Sequence, residues 1–172
     1  RGLIHALAAQ GHSVTFYEHD TPYYAAHRDC FGLPNGELVL YSNFEDVQEN
    51  ALKALHQADV GMVTSYCPDA PAATALILGS AVPIRAFYDL DTPITLDNLA
   101  RGEHVPYIGP HGLRDFDLVL SYTGGAALHE LQRVLGARRV APLYGSVDPR
   151  LHAPAPPIAR YRAALSYLGT YA

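Results

Sequence analysis

Short runs of β-branched and aromatic residues alternate with longer amphipathic runs along most of the chain, and that alternation leaves few ways to fold. Ser13-Val-Thr-Phe-Tyr17, Glu37-Leu-Val-Leu-Tyr41, Ala58-Asp-Val-Gly-Met-Val-Thr-Ser65, Pro83-Ile-Arg-Ala-Phe-Tyr88, Phe116-Asp-Leu-Val-Leu-Ser121 and Arg139-Val-Ala-Pro-Leu143 read as strands. Before the first lies a helical run with Leu3, Ile4, Leu7 and Ala8 on one face and Gly11 as its left-handed stop. Asn43 is placed to cap a helix with Glu45 and Asp46 in its first turn and Phe44, Val47, Ala51, Ala54 and Leu55 on one stripe. Asp69 and Pro71 open another that closes near Gly79, a short one is expected to start near Thr95 with that hydroxyl as cap, and Gly136 ends one carrying Ala127, Leu128, Leu131 and Leu135. Strands joined through helices run parallel, so the pattern predicts an α/β fold with a mostly parallel sheet covered on both faces.

In such sheets ligands gather outside the carboxyl ends of the strands. The segments at those ends are Glu18-His19-Asp20, Tyr66-Cys67-Pro68-Asp69, Asp89-Leu90-Asp91-Thr92, Tyr122-Thr123-Gly124-Gly125 and Tyr144-Gly145-Ser146-Val147-Asp148. All five carry polar groups, three begin with tyrosine and two contain glycine, whereas opposite loops such as Gln10-Gly11-His12 and Leu135-Gly136-Ala137 are short and plain. One rim has the chemistry.

Composition removes several function classes. Twelve basic against seventeen acidic residues, with no basic cluster beyond Arg138-Arg139, argue against nucleic acid as a partner. Cys30 and Cys67 match no ligand spacing, and the nine histidines form no H-x-x-H pair, so no metal is expected and the thiols read as reduced and intracellular. No apolar run approaches the ~18 residues of a transmembrane helix, and a cytoplasmic location is expected. The helix already under way at Arg1 and the incomplete pattern at the other end read as a piece of something larger.

The acid pair Asp89 and Asp91 follows the strand Pro83–Tyr88, with Tyr88 and Thr92 flanking it. Three roles fit: a divalent cation bridging a diphosphate, a turn cap set by Thr92-Pro93, or a general base on an acceptor hydroxyl. Alternation along an extended segment sends both carboxylates to one side. Tyr122-Thr123-Gly124-Gly125 offers bare backbone N–H groups at a helix start, open to a ligand oxygen or simply a tight turn. Tyr144, Gly145, Ser146 and Asp148 combine aromatic, hydroxyl and carboxylate groups; Tyr66 is a ligand-facing candidate, and Asp69 a helix cap first.

These phrases together resemble a known family. R-G-L-I-H-A-L-A-A-Q-G-H-S-V-T-F-Y-E, T-S-Y-C-P-D, F-Y-D-L-D-T-P-I-T-L, Y-I-G-P-x-G-L, D-L-V-L-S-Y-T-G-G, L-Y-G-S-V-D-P and L-S-Y-L-G-T-Y are similar, in order, to the bacterial glycosyltransferase-like proteins related to the spore maturation protein CgeB. The resemblance implies a GT-B architecture of two Rossmann-like, doubly wound domains, the first holding the acceptor and the second the nucleotide sugar. On that reading residues 1–157 are the acceptor-side domain, the proline-rich stretch Leu151–Pro157 is a stiff linker, and residues 158–172 begin the donor side with a strand over Leu165-Ser-Tyr-Leu-Gly-Thr170. GT-B enzymes generally need no bound metal, which favours acceptor binding or base chemistry for Asp89 and Asp91. The expected function is transfer of a sugar from a nucleotide sugar to a hydroxyl, in the complete protein. The alternative is a non-catalytic domain that binds a sugar or phosphorylated metabolite.

Overall fold

The computed structural model describes residues 2–167. In chain order it comprises α1 Gly2–Ala9, β1 Val14–His19, α2 Pro22–His27, β2 Gly36–Tyr41, α3 Phe44–Leu55, β3 Val60–Thr64, α4 Ala70–Gly79, β4 Ile84–Asp89, α5 Thr92–Ala100, β5 Leu118–Ser121, α6 Ala126–Leu135 and β6 Val140–Pro142, followed by a 3-10 turn at Ala159–Tyr161. Every strand pairing is parallel, β1 with β2 in one sheet and β3-β4-β5-β6 in order in the other. This is the Rossmann-like, doubly wound α/β architecture.

Within the four-stranded sheet, right-handed crossovers between strands laid down in sequential order put α4, α5 and α6 on one face. The core follows from that rule. Val63, Phe87 and Val119 share one face through the registers Val63↔Phe87 and Phe87↔Val119, and they meet Ala70 and Ile77 of α4 and Leu131 and Leu135 of α6. The long connection between α5 and β5 is no surface loop, for it buries Val105, Tyr107, Leu113 and Phe116 in the same cluster. Phe87 lies against Phe116 and Tyr107, with ring centroids 5.6 and 6.5 Å apart.

The β1–β2 unit is more open, and Tyr41 is the one residue of its strands that is buried. Arg28 fastens its strand end by donating to both Glu18 and Asp20 at 2.9 Å. Tyr41 crosses to the larger sheet, its hydroxyl donating to Asp69 at 2.9 Å.

Three local expectations change. Thr21 and Pro22 start a helix, α2, where the sequence pattern gave none, because the Thr21 hydroxyl accepts from the Tyr24 N–H and Pro22 sits at the first position. Asn43 occupies the cap position of α3, but its amide donates to the Asp46 carboxylate instead of capping the backbone. Helix α5 begins at Thr92, with Asp91 at the cap position and Pro93 in the first turn, which leaves Thr95 inside the helix. Residues 168–170 of the strand expected at the chain's end lie outside the described residues, and Leu165, Ser166 and Tyr167 are not in a strand.

Gly112 holds the buried connection against α6. Its φ is +62°, and a Cβ there would stand 2.5 Å from the Leu135 carbonyl oxygen, to which Leu113 N–H donates at 2.8 Å. Left-handed backbone costs a side chain about 1–2 kcal/mol, and here the collision is with main chain that cannot swing aside. Gly112→Ala is therefore expected to lower the unfolding free energy by about 2 kcal/mol or more in urea denaturation; an unchanged midpoint would contradict this packing.

Candidate functional site

The acid pair does not behave as one unit. Asp89 is the last residue of β4, paired with Ser121 of β5, and it follows Phe87 onto the face that the helices cover. Its exposure is 0%. Oδ1 accepts from the Asp91 N–H at 3.2 Å and from the Thr95 hydroxyl at 3.1 Å, while Oδ2 is buried without a partner among the described residues. The chain turns at Leu90, so the alternation expected to carry Asp91 to the same side ends there. Asp91 is half-buried at the start of α5 and makes no capping bond.

Around Asp89 stands a cage of buried hydroxyls from four elements. Ser65, just past β3, accepts from the Leu90 N–H at 2.8 Å. Thr92 and Ser121 lie 2.7 Å apart, and Ser121 donates to the Thr123 carbonyl at 2.6 Å. A hydroxyl has one proton, so Thr92 is the donor in its pair with Ser121. Thr95 and Tyr107 are 2.9 Å apart. Burial pushes the Asp89 carboxyl above the usual carboxylate range, against the pull of hydrogen bonds from the Asp91 N–H and Thr95. Burial likewise pushes Tyr107 up to about 12.

Above this floor the strand ends present tyrosines. Tyr66 is 53% exposed, with a φ of +62° that few side chains adopt, and its ring rests 5.2 Å from that of Tyr107. Tyr122 and Tyr144 are 47% and 62% exposed. They interlock: the Tyr144 hydroxyl fills the place a Cβ would take on Gly124, and the Tyr122 hydroxyl does the same at Gly145. Gly125, at φ +65°, turns the chain into α6, and the Thr123 N–H is held by Ser121 at 3.0 Å. Ser146 is exposed beside Gly145.

Other candidates are committed elsewhere. Tyr88 is buried on the opposite side of β4 from Asp89, donating to the Leu143 carbonyl at 2.8 Å. Thr92 is sealed in the cage. Asp69 sits at the cap position of α4, where its carboxylate accepts from Tyr41 instead of the helix. Asp148 is a clasp: it accepts from Arg150 at 2.9 Å and pairs with His5 of α1 at 2.7 Å, and the Arg150 and His5 bonds hold its carboxyl well below the usual range. Among the described residues no three His, Cys, Asp or Glu side chains gather as metal ligands. A cavity of about 290 Å³, lined by Leu99, Val105, Ile108 and Leu135, lies near the far ends of α5 and α6, away from the rim.

Ser65, Ser121 and Tyr107 were not singled out from sequence as site residues, and Thr95 was read only as a helix cap. Ser65 and Ser121 each stand at or just past a strand end, a signal that could have found them. Tyr107 opens the phrase Y-I-G-P-x-G-L but had no role assigned, and it reaches the cage from a connection rich in glycine and proline.

Comparison of the chain with family models, curated proteins and solved structures returned no match. Among the described residues no helix is long and apolar enough to cross a membrane.

The orphan Oδ2 makes Asp89→Asn informative, since an Asn oxygen can keep the Oδ1 bonds while its amide takes the unpartnered position. Because the folded carboxyl's pKa is raised, the folded state binds more protons than the unfolded one. Asp89 therefore loses stabilising effect as pH rises from about 4 through the folded pKa. Denaturation at a series of pH values is expected to show Asp89→Asn gaining on wild type toward neutrality; a gain toward acid pH would contradict the burial account.

Proposed function

We propose that residues 1–157 are the acceptor-side domain of a cytoplasmic, glycosyltransferase-like protein that moves a sugar from a nucleotide sugar to an acceptor hydroxyl, with residues 158–172 leading to the donor side. The observation that carries this reading is the trio of exposed tyrosines, Tyr66, Tyr122 and Tyr144, at the carboxyl ends of β3, β5 and β6. Exposed aromatic faces beside one another suit a ring-shaped ligand rich in hydroxyl groups, because stacking covers its apolar face while its polar edge stays open to hydrogen bonds. The resemblance to CgeB-related proteins, carried by the same strand-end phrases, supports the transfer chemistry. A carboxylate of the Asp89 and Asp91 pair takes the proton of the acceptor hydroxyl. Of the two, Asp91 is near enough to the surface to meet a ligand directly.

One observation favours a second reading, a domain that binds a sugar or phosphorylated metabolite without transfer. Asp89 is sealed from solvent, which suits a structural role as well as a chemical one.

The test is turnover and calorimetry of the protein containing this chain, against a panel of nucleotide sugars and simple glycoside acceptors. Loss of one stacking tyrosine removes about 1 kcal/mol, so Tyr122→Ala and Tyr144→Ala are each expected to raise the acceptor KM about five- to tenfold. Binding without transfer selects the second reading, and neither binding nor transfer rejects both.

A further inference from the structure

We infer that Asp89 takes the acceptor's proton at one remove, through a relay of hydroxyl groups running from Tyr66 at the rim through Tyr107 and Thr95 to its Oδ1. The inference rests on the proposed transfer reading and assigns the proton acceptor within it.

Two steps of the path are hydrogen bonds in the structure, and the third lies between rings in contact. Thr95 Oγ1 lies 3.1 Å from Asp89 Oδ1 and 2.9 Å from the Tyr107 hydroxyl. Tyr107 in turn is covered by the Tyr66 ring, with ring centroids 5.2 Å apart. With Asp89 ionised, the single Thr95 proton points to Oδ1, which leaves the Thr95 lone pairs to accept from Tyr107. Both of these donors then face inward. Asp89 and Thr95 have no exposure at all and Tyr107 is buried, whereas Tyr66 meets solvent, so the path has one open end. Backbone strain at Tyr66, kept in a φ region that costs about as much as a weak hydrogen bond, is the kind of feature that persists where a side chain's position is used.

The proton count balances. As the acceptor oxygen bonds the anomeric carbon and the nucleoside diphosphate departs with its electron pair, the acceptor's proton passes to Tyr66. The Tyr66 proton passes to Tyr107, that of Tyr107 to Thr95, and that of Thr95 to Asp89. Each hydroxyl ends as it began, and Asp89 becomes the neutral acid that its buried surroundings favour. The groups facing Asp89 are the hydroxyls of Ser65, Thr92 and Thr95 and the Asp91 backbone, with Tyr107 the nearest titratable side chain beyond them. No cation pairs with it among the described residues.

Tyr66→Phe, Tyr107→Phe and Thr95→Val each cut the relay with little change of shape, and thermal melts verify folding. Two readouts separate the relay from the reading beneath it. In turnover, each cut is expected to lower kcat about a hundredfold or more, with KM changed less than twofold and the solvent deuterium isotope effect reduced. In a pH jump followed by the carboxyl infrared band, assigned with Asp89→Asn, Asp89 is expected to exchange its proton at least about tenfold more slowly once the relay is cut. That second measurement needs no turnover. If no sugar is transferred by wild type, the transfer reading fails, and the pH jump alone decides the relay. Wild-type exchange rates in Tyr66→Phe and Tyr107→Phe overturn it, as does normal kcat in those variants alongside a collapse in Asp91→Asn.

Discussion

A carboxylate placed where water cannot follow governs this structure. Asp89 stands at the end of the central strand pair, under the helices, and a buried ionised acid survives only where neighbours donate to it. The Asp91 N–H and Thr95 serve Oδ1, and no described group serves Oδ2. The result is a carboxyl whose neutral form is favoured by burial and whose charged form is favoured by its hydrogen bonds, with burial the larger effect. Four separate segments lend hydroxyls to that one place, so the end of β4 is the point through which β3, β5 and α5 are held in register.

The rest of the rim follows from that floor. Because Ser65, Thr92, Ser121 and Thr95 turn inward to surround the acid, the neighbouring Tyr66 and Tyr122 are left facing outward, and Tyr144 completes the row from the end of β6. Gly124 and Gly145 have no side chain because a tyrosine hydroxyl occupies the space. Around the edges other charged groups are spent on architecture. Asp148 ties the chain after β6 to α1 through Arg150 and His5, and Arg28 closes the end of β1 on Glu18 and Asp20. Carboxylates that read alike in sequence thus divide into clasp, cap position and cage.

The parallel α/β order and the polar rim were legible from the chain, as were most strand and helix positions. The errors were local. Thr95 reads as a cap because a hydroxyl followed by an apolar stripe usually caps, yet Pro93 admits the helix to start earlier, and the hydroxyl then meets Asp89 one turn away. Alternation put Asp89 and Asp91 on one side, and alternation holds only while the backbone stays extended, which ends at Leu90. Tyr107 entered only as the first residue of the phrase Y-I-G-P-x-G-L, with no role assigned, because its partners come from a helix and strand ends distant from it in the chain.

Periodicity is a property of neighbours in the chain, so the amino-acid order alone determined that strands would alternate with helices, run parallel and bring their polar ends to one rim. Burial is a sum over elements that meet only after folding. It was therefore left to the tertiary structure to decide which aspartate lost its water, which hydroxyls closed around it and which tyrosines remained in the open.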